Sequence, residues 1–147
     1  LVNSGEALTE QSVVIHKITD DAAASSGVLL EEAIGDLLAA MAGKVMLAHN
    51  ARIETDFLMQ ACQKLYGIVP FFPVIDTMRI ARLWFERRNK VIEQGALRLF
   101  NLRSRYGLPV YQAHNALSDA ISTAELLQAQ IEHMESTGVL PLKQFMS

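Results

Sequence analysis

A single cysteine in 147 residues rules out an internal disulfide, and with it a small fold stapled by bridges. Cys62 stands between Ala61 and Gln63 with no catalytic pattern around it, so it reads as a small apolar core residue in a cytoplasmic protein. Long apolar runs are missing too. None reaches the roughly 20 residues a membrane-spanning helix needs, and no signal-type opening is present, so no membrane partner is expected. Proline is scarce at 4 residues, and no repeat or low-complexity segment interrupts the chain. Half the residues are apolar and 20% are charged, which excludes disorder as the default and suits one globular domain over residues 1–147. The chain opens at Leu1 rather than Met, and Leu1-Val2 followed by Asn3-Ser4-Gly5 reads as a strand running into a turn. The start is therefore expected to be cut from something longer.

Acidic residues outnumber basic ones overall, for a net charge of −3, yet the charge is split. Arg79, Arg82, Arg87, Arg88, Lys90, Arg98, Arg103 and Arg105 face only Glu86 and Glu93 between residues 79 and 105. That segment carries +6, which leaves −9 for the remainder. Such a division suits an acidic metal-binding centre with a basic flank for phosphates, and equally a pair of helices whose cations face water.

Periodicity gives a coarse order of elements. Residues 12–19 form an apolar segment, and Asp21–Ser25 a short alanine-rich helical turn. Leu30, Ile34, Leu37, Leu38 and Met41 recur at helical spacing before Gly43, placed where a helix C-cap belongs. Val45–Ala48 reads as a buried strand, with Asn50 as the N-cap of a helix from Ala51 to about Tyr66. Val74-Ile75 fits a second strand, and Asp76-Thr77 caps a helix to about Arg87 with Met78, Ala81 and Trp84 on one face. A helix over Ala96–Tyr106 turns Leu97, Phe100 and Leu102 inward, and Asn115–Glu135 is the last long helix. Several helices with two or three short buried strands make an α/β domain that is short of strands for its helices.

Two stretches carry the chemistry. His114-Asn115-Ala116-Leu117-Ser118-Asp119 heads the last helix, and His49-Asn50-Ala51-Arg52-Ile53-Glu54-Thr55-Asp56 heads the earlier one. Each places a carboxylate in a first helical turn after a loop or strand, and singly each reads as ordinary capping. Together they offer what metal-dependent phosphodiester hydrolysis requires: carboxylates from separate elements, and a histidine matched to neutral pH as base. Glu54 and Asp56 lie about 200° apart on a helix, so at most one faces a shared centre. Periodicity with Phe57 and Leu58 turns Glu54 inward and Asp56 outward. His49 reads as a structural hydrogen-bonder, Asp76 as a helix cap, His133 as exposed, and Trp84 and Phe100 as core.

The ordered set His49-Asn50-Ala51-x-x-Glu54-x-x-Phe57-Leu58, Ile75-Asp76-Thr77-Met78 and His114-x4-Asp119-Ala120 resembles the DEDD superfamily of 3'-5' exonucleases, histidine subclass. The epsilon proofreading subunit of bacterial DNA polymerase III is a familiar member. The likeness spans residues 1 to about 134 and implies an RNase H-like fold, an exonuclease acting on a single-stranded DNA or RNA 3' end, and a polymerase partner. It also implies two Mg²⁺ or Mn²⁺ ions, with Asp119 and Glu54 as ligands and His114 as general base. Glu54 stands where the family usually has aspartate. His16, Ile18 and Asn50 would lie beside the terminal nucleotide, with Lys17 where glycine is usual.

The family's first motif, an Asp-x-Glu on its first strand, has no counterpart here, and the first three strands of the fold are expected to be missing as well. The fragment alone should therefore bind metal weakly and cut poorly. The alternative is a catalytically silent binding module partnering a polymerase or another nucleic-acid complex. An unpaired sheet edge would also invite two copies to associate.

Overall fold

The computed structural model describes residues 1–3, 5–111 and 116–136, arranged as two compact units. The first comprises residues 1–44 and 57–70. It opens with β1 (Val2–Asn3), α1 (Glu10–His16), α2 (Asp20–Ser26), β2 (Val28–Leu29) and α3 (Leu30–Met41), and it ends with the part of α4 (Arg52–Tyr66) from Phe57 onward. Strands β1 and β2 pair in parallel, Val2 opposite Val28 and Asn3 opposite Leu29. Gly27 makes that pairing possible. A Cβ on it would strike the Ala23 carbonyl oxygen and stand 2.8 Å from the Asn3 backbone nitrogen.

Threonines start the two short helices of this unit. The Thr9 hydroxyl accepts from the Ser12 N–H at 3.2 Å, and the Thr19 hydroxyl from the Ala22 N–H at 3.2 Å, so each meets a donor that a helix start leaves free. The apolar segment at 12–19 thus begins as helix α1, which Lys17 ends in the left-handed region at φ 57°. None of α1 is buried, and Val14 is 77% exposed. The strand expected at the start is an exposed two-residue pairing, because alternation over two residues cannot hide either face. Ala23, Ile34, Leu58, Ala61 and Cys62 are this unit's buried apolar residues, in line with the core reading of Cys62. Gly43 takes φ +69° just beyond α3, as a C-cap position demands.

The second unit comprises residues 45–56 and 71–147. Its described elements are β3 (Met46–Ala48), the first turn of α4, β4 (Val74–Asp76), α5 (Thr77–Arg87), α6 (Leu99–Arg105) and α7 (Ala116–Ser136). Strands β3 and β4 run parallel in register Met46–Val74, Leu47–Ile75 and Ala48–Asp76. Helices α5 and α6 both pack on α7. The core between them gathers Ala81, Phe85, Leu97, Leu102 and Leu126, and a second cluster joins Ile80 and Met134 to Ile75, Leu127 and Ile131. The α5 periodicity is observed as expected. The helix expected from Ala96 begins only at Leu99, after a turn through Gly95 at φ +81°. Phe100, expected inward, stays 38% exposed while Leu97 and Leu102 are buried.

Arg103 departs furthest from expectation. It belongs to the basic segment whose cations read as phosphate-facing or solvated, yet it is 2% exposed. Its Nη1 donates to the Ser122 carbonyl at 2.7 Å, and its Nη2 donates to the Pro109 carbonyl and the Glu125 carboxylate, both at 2.7 Å. The Tyr111 hydroxyl donates to the other Glu125 oxygen at 2.9 Å, and the guanidinium lies 4.9 Å from the Tyr111 ring centre. One side chain thus ties α6 to α7 and to the loop at 109–111. No helix among the described residues is long and apolar enough to cross a membrane.

Candidate active site at the head of the last helix

The site is built around the end of β4. Asp76 is the N-cap of α5, its Oδ1 accepting from the Met78 N–H at 2.8 Å and the Arg79 N–H at 3.4 Å. The same carboxylate reaches back to the β3–α4 turn, taking the Asn50 N–H on Oδ1 and the Ala51 N–H on Oδ2, each at 3.0 Å. A single acid therefore caps α5 and pins the start of α4, which sets where Glu54 emerges. Asn50 is not the N-cap it was expected to be. Its backbone is left-handed at φ +68°, whereas a cap residue is extended, and Asn tolerates this region better than most residues.

His49 is held on both ring nitrogens, as a structural histidine would be. Its Nε2–H donates to the Leu97 carbonyl at 2.9 Å, and Nδ1 lies 2.8 Å from the buried Thr77 hydroxyl. Burial depresses its pKa, opposed by the Leu97 hydrogen bond and the Asp76 charge, which favours the neutral ring with the Thr77 O–H shared between Nδ1 and the Ala48 carbonyl 3.3 Å away. The chain of contacts continues from the Thr77 carbonyl to the buried Gln130 Nε2 on α7 at 2.9 Å. With both nitrogens engaged, His49 is free neither to ligate nor to act as base.

Glu54 and Asp119 line one open cleft of about 630 Å³ together with Leu47, His49, Phe100 and Thr123. Asp119 lies in the first turn of α7, half-buried, where the helix dipole favours its charge. Its backbone carbonyl accepts from the Thr123 hydroxyl at 2.8 Å. Glu54 lines the cleft yet is exposed, contrary to the inward reading, with Ile53 and Phe57 exposed beside it although Leu58 is buried. Desolvation at the cleft still raises its carboxyl pKa. A hydrogen bond to its own backbone lowers it, and the neighbouring Asp76 charge raises it further. Asp56 pairs with Arg52 at 3.4 Å, a long contact between exposed side chains one helical turn apart.

His16 and Ile18 belong to the first unit, where the Ile18 N–H donates to His16 Nδ1 at 3.0 Å. His114 lies outside the described residues, as does Asn115. Asp76 escaped the set of site residues because a carboxylate heading a helix is usually no more than a cap. The Asp-Thr at a strand end was the available signal. The described residues hold no group of three or more His, Cys, Asp or Glu able to bind a metal ion. Glu54 and Asp119 therefore do not by themselves fit a pair of divalent cations, which needs further carboxylates.

Residues 1–127 match the family model RNase_T, described as Exonuclease. The chain belongs to this exonuclease family. Among proteins similar to it is a PolC-type DNA polymerase III of Thermotoga petrophila, 26% identical over 78% of the chain and 8% of that protein. A PolC-type DNA polymerase III of Caldanaerobacter subterraneus is 28% identical over 87% of the chain and 9% of that protein. A Mycobacterium tuberculosis protein whose name gives it as a bifunctional exonuclease/endonuclease is 34% identical over 65% of the chain and 14% of that protein. The chain spans about a tenth of the length of these curated relatives. The family match places it among nucleases, and its mixed α/β structure with short parallel sheets agrees with an exonuclease domain.

Proposed function

We propose that the chain forms part of a single 3'-5' exonuclease domain of RNase H-like fold that shortens single-stranded nucleic acid from its 3' end, in the company of a DNA polymerase. The observation that carries the reading is that Glu54 and Asp119, 65 positions apart in sequence, line the same open cleft. In this reading they are two members of a carboxylate set for Mg²⁺ or Mn²⁺, and His114 is the base. Neutral, doubly bonded His49 and the Asp76 bridge hold the cleft wall rather than take part in the reaction. Because no Asp-x-Glu occurs in the sequence, the chain alone cuts slowly at best.

A single strand labelled at its 5' end, incubated with the chain and Mn²⁺, should yield a slow ladder of 3'-shortened products, lost in Asp119→Ala. Internal cuts, release from the 5' end, or unchanged cutting by Asp119→Ala would overturn the reading. A second reading, a catalytically silent binding module, is favoured by the lack of a three-ligand cluster among the described residues. It predicts strand binding with no ladder at all.

A further inference from the structure

A second cavity of the same unit shares no lining residue with the cleft. It holds about 310 Å³ and is walled by Trp84, Phe85, Tyr106 and His133, with Lys90 and Arg105 also on its lining. It adjoins α7 at His133, 14 residues beyond Asp119, so it stands about 20 Å along the helix from the cleft. The rings are set at angles rather than stacked shut. Trp84 meets Phe85 edge-on at 5.3 Å and His133 at a tilt of 55°, and Tyr106 meets His133 edge-on at 5.8 Å.

Cations crowd this place. The Arg88 guanidinium sits 4.3 Å from the Trp84 ring centre, Lys90 Nζ 5.1 Å from the same ring, and the Arg105 guanidinium 4.7 Å from the Phe85 ring. Their field is felt inside, since the Arg105 and Arg88 charges oppose the burial that raises the Tyr106 hydroxyl pKa. With Arg103 turned inward to Glu125, the surplus positive charge of residues 79–105 rests on exposed side chains, three of them at this cavity. Flat apolar walls take an aromatic ring, and guanidinium and ammonium groups at the same opening take a phosphate. An acidic peptide would meet the cations yet leave the aromatic walls unused.

We propose that this cavity binds a nucleobase bearing a phosphate, at a site separate from the Glu54–Asp119 cleft. The base lies against Trp84 and Tyr106, and Lys90 and Arg105 hold the phosphate. The source is either a free nucleotide or one nucleotide of a single strand. The proposal does not depend on metal or on hydrolysis.

Trp84 is the only tryptophan, so its emission reports this cavity alone. The chain is titrated in EDTA with a nucleoside monophosphate and, separately, with a short single-stranded oligonucleotide. Saturable quenching by both identifies a free-nucleotide site, and quenching by the oligonucleotide alone identifies a strand-binding site. Lys90→Glu and Arg105→Glu should each weaken binding about tenfold or more and lower the oligonucleotide's log–log salt slope by about 0.7 for each phosphate no longer held. Arg82→Glu, the same charge change off the cavity lining, should leave nucleoside monophosphate quenching unaltered. Asp119→Ala should quench as the unaltered chain does, so failure of the exonuclease reading would leave this result standing. No saturable quenching by either ligand, quenching by an acidic peptide only, or quenching unaffected by Lys90→Glu and Arg105→Glu would overturn the proposal.

Discussion

Replacing Arg103 with methionine tests the packing of the second unit at its least expected point. The guanidinium is 2% exposed and donates to two backbone carbonyls and the Glu125 carboxylate, each at 2.7 Å. Methionine fills much of the volume but supplies no donor. The change removes the side-chain donor from the Ser122 and Pro109 carbonyls and leaves Glu125 with the Tyr111 hydroxyl alone. The Ser122 carbonyl lies mid-helix and the Glu125 carboxylate is partly exposed, so the main cost is the Pro109 carbonyl left without its donor, about 1–3 kcal/mol. Against a total stability of about 5–15 kcal/mol that is a large fraction. Urea unfolding followed through Trp84 emission reads it as a fall in midpoint at unchanged slope.

The double variant Arg103→Met/Glu125→Met should be less destabilised than Arg103→Met alone, because it removes the carboxylate together with its cation. Two results would refute the reasoning: a destabilisation below about 1 kcal/mol in the single variant, or a double variant worse than the sum of its parts. Glu125 adds a pH signature. Arg103 first, then Tyr111, lowers its pKa by hydrogen bonding. The network's contribution is thus complete above the ordinary glutamate range and fades as pH falls through the lowered folded value.

Gly27→Ala should destabilise the first unit by about 1–3 kcal/mol, since the new methyl meets backbone at Ala23 and Asn3, and thermal melting would register the change. Lys17→Gly should raise stability by about 0.5–1 kcal/mol, because Lys17 ends α1 at φ 57° where glycine bears no Cβ penalty. A melting temperature that fails to rise would count against that. His49, its pKa lowered first by burial, is neutral when folded, while the unfolded chain protonates it near 6.5. The unfolded state then binds more protons below that pH, so stability should decline as pH falls below about 6.5. A variant lacking the ring, such as His49→Gln, should flatten this portion of the stability–pH curve.

The elements best read from sequence were those whose periodicity, cap and stop signal agree. Helix α5 has Asp76 at its cap, Ala81 and Phe85 buried and Arg87 at its end. The strands β3 and β4 and the Gly43 stop were legible for the same reason. Local pattern fails where a distant partner decides. Arg103 looks like any surface arginine until Glu125, 22 residues later, and the Ser122 carbonyl take up its donors. Asn50 looks like a cap until Asp76, 26 residues later, accepts its N–H and takes the capping role. The pairing of β1 with β2 left no alternation to read in two residues each, and it turns on close backbone approach at Gly27. Of the expected site, Glu54 and Asp119 share a cleft, His16 and Ile18 lie in the other unit, and His114 is not among the described residues. Glu54 shows the limit of helical periodicity. Of the two residues that set its phase, Leu58 is buried but Phe57 is 58% exposed, and Glu54 itself is exposed.

The central claim is that Glu54 and Asp119 act on one divalent cation in the cleft they share. Mn²⁺ binding measured by electron paramagnetic resonance tests it without requiring turnover. The account predicts weak binding by the unaltered chain, abolished in both Glu54→Gln and Asp119→Asn while the fold, followed by circular dichroism, is kept. Mn²⁺ binding that persists unchanged in either variant would contradict it.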